Sequence, residues 1–212
     1  MGERTVSAAG SGPAEPTVVV EERRTCYQGF FRMEHYRLRH RLYSGAMSPL
    51  MSRELFERGH AAAVLPYDPR LDRIVLLEQF RIGALNEPRG PWLLEIVAGM
   101  IEDGEEAGQV VAREALEEAG CELTVLEPIC EYLVSPGGTS ERISLFCGRV
   151  DAAAAGGIHG LPEEGEDIRV LTVSYDDAMA LMHDGVINSA SPIIALQWLS
   201  MNRERLRRQW GA

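Results

Sequence analysis

Residues 99–121, GMIEDGEEAGQVVAREALEEAGC, constrain this chain more than any other stretch. Wound on a helix at about 100° per residue from Glu106 onward, Val111, Ala112, Ala115, Leu116 and Ala119 gather on one side. Glu114, Glu117 and Glu118 gather on the other. The first side is expected to face a core. Charge runs on helices usually face water, but here like charges crowd within one turn, at a cost of roughly 0.2–0.5 kcal/mol per i,i+4 pair. A cation is expected beside them.

An oxygen-only ligand set suits a hard ion, Mg²⁺ or Mn²⁺, which keeps several waters and completes its shell with substrate phosphate. No His or Cys stands among the three carboxylates, which argues against zinc. Gly99 and Gly104 permit a tight loop before the helix, so the backbone carbonyls near Ala98 and Gly99 are expected near the ion. Arg113 is placed to pair with Glu105 and tie loop to helix.

The rest of the chain bounds what this helix can serve. With 212 residues, 45% hydrophobic content and a net charge of −11, it reads as one domain plus an appendage and not as a nucleic-acid binder. The basic run Arg203, Arg205, Arg207, Arg208 reads as the polar side of a terminal helix. No apolar run approaches the roughly 18 residues of a membrane span. Residues 1–16 lack the apolar middle of a secretory signal and are expected to form a disordered leader. Cys26, Cys121, Cys130 and Cys147 lack metal or redox spacing and read as reduced, mostly buried thiols of a cytoplasmic protein.

Strand periodicity runs through residues 17–43, broken at Gly29. A small half-buried antiparallel sheet is barely stable alone, so it is expected to pack on the rest of the chain or on a second subunit, with a homodimer through this segment a natural way to cover it. The appendage spans residues 17–58 and the main domain residues 59–212, with the boundary near Gly59. Core strands are predicted at residues 60–66 and 74–80, and Arg81 stands at the end of the second. A buried strand follows at 91–98, apolar but for Glu95, then strands at 123–126, 129–134 and 143–150. The loop SPGGTSER, residues 135–142, lets backbone approach a ligand. The acidic loop 156–167 carries Glu163, Glu164, Glu166 and Asp167 and is a source of a general base, with His159 as the competing candidate. Helices are expected over 174–183 and from the Ser191-Pro192 cap onward. The sum is an α/β/α sandwich around a mixed sheet, with a small N-terminal antiparallel β-sheet appended.

The helix stretch resembles the Nudix box, met here by Gly99, Glu105, Arg113, Glu114, Glu117, Glu118 and Gly120. Its aliphatic slots hold Ala115 and Cys121, both small and buriable. Seven such positions coincide by chance about once in 10⁸ windows. The resemblance extends beyond the box to FFRMEHYRLRHRLYSGAMS, RELFERGHA, EQFRIGA, SPGGTSER, GIHGLPEEGEDIRV and IIALQWL, which together look like the bacterial ADP-ribose pyrophosphatases.

That resemblance implies the Nudix α/β/α fold, a homodimer, and hydrolysis of ADP-ribose to AMP and ribose 5-phosphate with more than one Mg²⁺. It implies metal ligation by Ala98 through its carbonyl, Glu114, Glu118 and Glu166, with Arg113 and Glu117 as further catalytic residues. Glu164 is implied as the catalytic base, with Glu163 and Glu166 as rivals in the same loop. Phe30 and Phe31 are implied near the adenine, and Arg53, Glu54, Arg58 and Arg81 around the adenosine and diphosphate. Met100, Ser135, Pro136, Gly137 and Glu141 are implied in the remaining contacts. A pyrophosphatase for GDP-mannose and a non-catalytic ADP-ribose sensor are the alternatives.

Overall fold

The computed structural model of the protein describes residues 17–153, 155–161 and 165–211. The expected leader, residues 1–16, lies outside the described residues. The chain divides into two compact units, Met1–Glu57 and Arg58–Ala212.

The first unit is an antiparallel sheet of β1 (Val18–Gln28), β2 (Arg32–His40) and β3 (Met51–Glu57), in that order. The turn between β1 and β2 falls where Gly29 breaks the periodicity. The third strand escapes a hydrophobic-pattern reading because MSRELFE is half charged. β1 is exposed at every residue, so the apolar side chains of Val18, Val19 and Val20 are not half-buried as the alternation suggests. The buried charged group among the unit's described residues is Glu34, whose carboxylate takes hydrogen bonds from Arg23 Nε and Thr25 Oγ1, each 3.2 Å away, and pairs with Arg32.

The second unit is built on an eight-stranded mixed sheet. β4 (His60–Asp68), the central strand, runs parallel to β9 (Arg142–Arg149), which pairs on its other edge with β8 (Val125–Leu133). β5 (Arg73–Phe80) continues the sheet outward to β11 (Ile168–Ser174) and the short β10 (Gly157–His159). β4 and β5 share only the register pairs Tyr67↔Ile74 and Asp68↔Arg73. Beyond these they fork. β5 takes β6 (Trp92–Glu95) as its partner and β4 takes β7 (Val97–Ile101). The single strand read at 91–98 is therefore bent at buried Ile96 and serves both arms of the fork. Where strands at 123–126 and 129–134 were expected, one strand, β8, carries a register shift between Pro128 and Cys130.

The sheet is covered on both faces, which is why β4 reads AAAVLPY without polar alternation. Its even-numbered residues Ala62 and Val64, with Val75, Leu77 and Val97, pack against Val110, Val111, Ala115 and Ala119 of α1 (Ala107–Ala119). Its odd-numbered residues Ala63, Leu65 and Tyr67, with Ile74 and Leu76, pack against α2 (Tyr175–His183) and α3 (Ala190–Trp210). This is the expected α/β/α sandwich. Ser174 caps α2 by accepting the Asp177 N–H, 3.1 Å away, and acidic residues fill its first turn. α3 starts two residues earlier than Ser191-Pro192 suggests, at Ala190, with Ser189 at the cap position. Among the described residues no helix is long and apolar enough to cross a membrane. All four cysteines are free, but only Cys121 and Cys147 are buried; Cys26 and Cys130 are exposed.

α3 is clasped to the β4–β5 turn by one carboxylate. Asp72, in the left-handed region at φ 56°, accepts hydrogen bonds from Tyr67 Oη at 2.7 Å and Arg203 Nε at 3.0 Å, with Arg207 at 3.4 Å. Burial works to raise the Asp72 carboxyl, but Arg203, Tyr67 and Arg207 outweigh it and hold it below the ordinary value. Arg203 also lies over the Tyr175 ring, 4.0 Å from its centroid. Asp72→Ala is expected to cost about 2–4 kcal/mol in urea unfolding, because it strands the buried Tyr67 hydroxyl, removes the partner of half-buried Arg203 and puts alanine in a backbone conformation it disfavours. Asp72→Asn, which tolerates that conformation and still accepts hydrogen bonds, should lose clearly less; equal losses would remove the clasp from the account of stability.

Candidate active site

The site is assembled where α1 crosses β7. α1 begins after a loop braced by Glu105, whose Oε2 accepts the Glu102 N–H at 2.9 Å while its Oε1 lies 3.6 Å from Arg113. The tie expected between Arg113 and Glu105 is thus present. Arg113 also reaches Glu114 Oε1 at 2.9 Å and Glu117 Oε2 at 3.3 Å. One guanidinium therefore orients three carboxylates of the loop and helix.

The helix does not divide into an apolar side and an acidic side as the sequence suggests. Glu118 is 3% exposed and belongs to the buried stripe with Val110, Val111, Ala115 and Ala119, whereas Leu116 is 55% exposed and Ala112 also faces outward. The reason is the partner. α1 packs against a strand edge that offers a polar group, and Glu118 Oε2 accepts the Ala98 backbone N–H at 3.1 Å. Gly99 makes the crossing close enough, because a Cβ there would overlap the Glu114 carboxylate.

Burial dominates the protonation of this pair. It pushes the Glu118 carboxyl up to about 8; the Ala98 N–H and Arg81 oppose the shift, and the charges of Glu114 and Glu166 add to it. Glu114 is raised too, again chiefly by burial, with Arg113 opposing and Glu117 and Glu166 reinforcing. Glu166, on the 160–167 loop, is thereby close enough to feel both helix carboxylates. Its own Oε2 accepts the Leu161 N–H at 3.1 Å.

The other predicted residues fall into distinct places. Arg81, just past β5, pairs with Glu95 Oε2 at 2.7 Å, so the lone charge in the apolar 91–98 run has a partner that sequence reading did not name. Met100 lies on β7 and is partly exposed. Arg58 Nε is 3.5 Å from Glu141, a nearly buried carboxylate at the foot of the β8–β9 connection. Ser135, Pro136 and Gly137 form the exposed tip of that connection, where the Ser135 carbonyl accepts the Gly138 and Thr139 N–H groups at 3.0 Å. Phe30, Phe31, Arg53 and Glu54 belong to the N-terminal unit. Phe30 is 91% exposed, and Phe31 meets Phe30 and Phe56 edge-on at 4.8 and 5.3 Å. Glu164 and Glu163 lie outside the described residues.

A divalent cation suits this donor set. Glu114 and Glu118 present oxygen only, burial raises the proton affinity of both, and the charges of Glu114 and Glu166 add to it at Glu118, a penalty that a bound cation removes. Among the described residues no three carboxylate, imidazole or thiol groups cage an ion unaided. Mg²⁺ does not require a cage; one or two carboxylates plus substrate phosphate and water serve it.

A family model for the NUDIX domain matches residues 57–196. The chain belongs to the Nudix family. It is 51% identical over 194 residues to an ADP-ribose pyrophosphatase of Escherichia coli K12, covering 92% of this chain and 93% of that one. To the ADP-ribose pyrophosphatase of Haemophilus influenzae it is 46% identical, covering 88% and 87%. A GDP-mannose pyrophosphatase of Cronobacter sakazakii is 35% identical, covering 70% and 78%. Among solved structures, one described as an ADP compounds hydrolase superposes with a TM-score of 0.68 over 93% of this chain and 98% of its own at 19% identity, a likeness of fold. This Nudix protein is therefore an enzyme of the hydrolase type, with its box on α1.

The raised Glu118 carboxyl gives a signed pH dependence. Between its ordinary value near 4.5 and about 8, the metal-free native protein holds a proton that the unfolded chain has released. Native stability should therefore fall as pH rises through that window, by no more than about 1.4 kcal/mol per unit. Glu118→Gln keeps an acceptor for Ala98 without a charge. In chelator, its unfolding free energy relative to the parent should improve steadily from pH 5 to pH 8; a difference independent of pH would overturn the assignment.

Proposed function

We propose that this Nudix hydrolase cleaves the diphosphate of ADP-ribose, yielding AMP and ribose 5-phosphate, with Mg²⁺ or Mn²⁺ as cofactor. The chemistry rests on one observation above others: a desolvated carboxylate, Glu118, pinned on the Ala98 N–H beside Glu114 and within electrostatic reach of Glu166. The substrate reading is supported by identity of 51% across 92% of the chain to an ADP-ribose pyrophosphatase, against 35% across 70% to a GDP-mannose pyrophosphatase.

In this reading Glu114, Glu118, Glu166 and the Ala98 carbonyl hold more than one ion. A divalent cation supplies charge neutralisation at the diphosphate and lowers the pKa of its water. The chain's own groups do the rest. Arg113 fixes Glu114 and Glu117 in orientation, and the Ala98 N–H fixes Glu118. Glu164 accepts the proton of the attacking water, with Glu163 and Glu166 as its rivals; the water oxygen bonds to phosphorus as the bridging P–O bond breaks. General-base help of this kind supplies about 10²–10⁴-fold. Arg58 and Arg81 bear on the diphosphate, Phe30, Phe31, Arg53 and Glu54 on the adenosine, and Met100, Glu141 and residues 135–137 on the remaining contacts. β1, exposed along its whole length, favours a homodimer through the N-terminal unit. Free, partly exposed thiols fit the reducing cytoplasm.

The test is product analysis with ADP-ribose and with GDP-mannose, each with Mg²⁺ and with chelator. AMP and ribose 5-phosphate from ADP-ribose, lost with the metal and lost in Glu118→Gln, are expected. GMP from GDP-mannose with ADP-ribose intact would replace the substrate, and tight ADP-ribose binding without turnover would replace the enzyme by a sensor.

A further inference from the structure

His159 is a described residue of the acidic-loop segment that the proposed mechanism does not use, and its surroundings are unusual. It sits on β10, one residue before the loop that carries Glu166. Its Nε2 lies 2.9 Å from the Gly156 carbonyl, which can only accept, so Nε2 carries the proton. The ring's Cε1, between its two nitrogens, rests on the end of α1: a Cβ at Gly120 would stand 2.8 Å from it. Gly120 is held in the left-handed region at φ 60°, its N–H on the Leu116 carbonyl and that of Cys121 on the Ala115 carbonyl. The box glycine thus answers two demands at once, the helix stop and the seat of an imidazole.

The contact continues to Glu166. Gly160, next to His159, has φ 96°, and a Cβ there would lie 2.7 Å from Glu166 Cβ. Glu166 returns both its N–H, to the Leu161 carbonyl at 3.2 Å, and its carboxylate, to the Leu161 N–H at 3.1 Å. His159 also registers opposite Ile168, two residues past Glu166. A short path of packed groups therefore runs from the C-terminus of α1 through the imidazole to the loop carboxylate. At the other end of the same path stand Glu114 and Glu118.

We infer that His159 is a positioning residue: wedged between Gly120 and the Gly156 carbonyl, it fixes Gly160 and Leu161 so that Glu166, held on them, faces the α1 carboxylates. This rests on the proposed cation role of that cluster. It gives the histidine a task in ion binding instead of the general-base task considered from the sequence, and it makes Gly120 and His159 a coupled pair.

The experiment is titration of the full-length, substrate-free protein with Mn²⁺ alone, free ion being followed by electron paramagnetic resonance, with far-UV circular dichroism to verify folding. His159→Ala should weaken binding by about 10–100-fold, the usual effect of removing a group that orients a ligand. His159→Gln, whose amide can donate to the Gly156 carbonyl, should retain most of the affinity. Gly120→Ala should weaken binding alone, through backbone strain and through its methyl against the ring, but add less than that loss to His159→Ala, where only the strain remains. Parent-like affinity in His159→Ala would overturn the inference while leaving the hydrolase reading intact. Additive losses from Gly120→Ala would do the same, assigning its effect to helix strain. Failure of the unsubstituted protein to bind Mn²⁺ would overturn both.

Discussion

The structure turns on a carboxylate that is buried before it has a counter-charge. Glu118 sits inside the α1–sheet contact with one backbone N–H for a partner. A side chain of this kind opposes its own packing at neutral pH, and evolution retains such groups where the cost serves a task. Much else in the second unit can be read as support for it. β7 must lie close enough to α1 to present Ala98, so position 99 must lack a side chain. Glu114 then fits into the space Gly99 leaves, and Arg113 must counter the charge that results.

The fork between β4 and β5 is the architectural form of the same demand. A continuous pairing of these strands would leave no free edge for β7, and no backbone donor would reach the helix. By parting after two register pairs, the sheet admits a bent strand between its arms. The box helix α1 then packs on the arm that carries β7, while Arg81 and Glu95 face one another from the ends of the other arm. The site is thus held by sheet and helix at its centre, and by loops only at its margins.

The sequence made the sandwich legible because its burial is two-sided: unbroken apolar runs in β4 and β5 and amphipathic stretches in the helices leave few other arrangements. It made the box legible through spacing. What it hid follows from limits of periodicity. Glu118 and Leu116 exchange their expected environments because a charge can be buried when a backbone donor awaits it, and no hydrophobic pattern contains that donor. β3 is hidden by its charged residues, which suit a sheet open to solvent, and β10 by having three residues. The seat of His159 on Gly120 joins residues 39 positions apart and has no local signature. The pairing of Arg81 with Glu95 does leave one, a lone charge in an apolar run.

The clasp between Asp72 and Arg203 has a consequence for how the chain is made. Half of the central core, Leu65, Tyr67, Ile74 and Leu76 among it, is roofed by Ala195, Leu196, Leu199 and Leu206 of the last helix. Arg203 cannot meet Asp72 until 131 further residues have been synthesised. At roughly 5–20 residues per second on the ribosome, that interval lasts many seconds. Until α3 is made, the face of β4 and β5 that it covers stays bare and apolar, so the core closes only when that helix arrives and the nascent sheet is open to chaperones in the meantime.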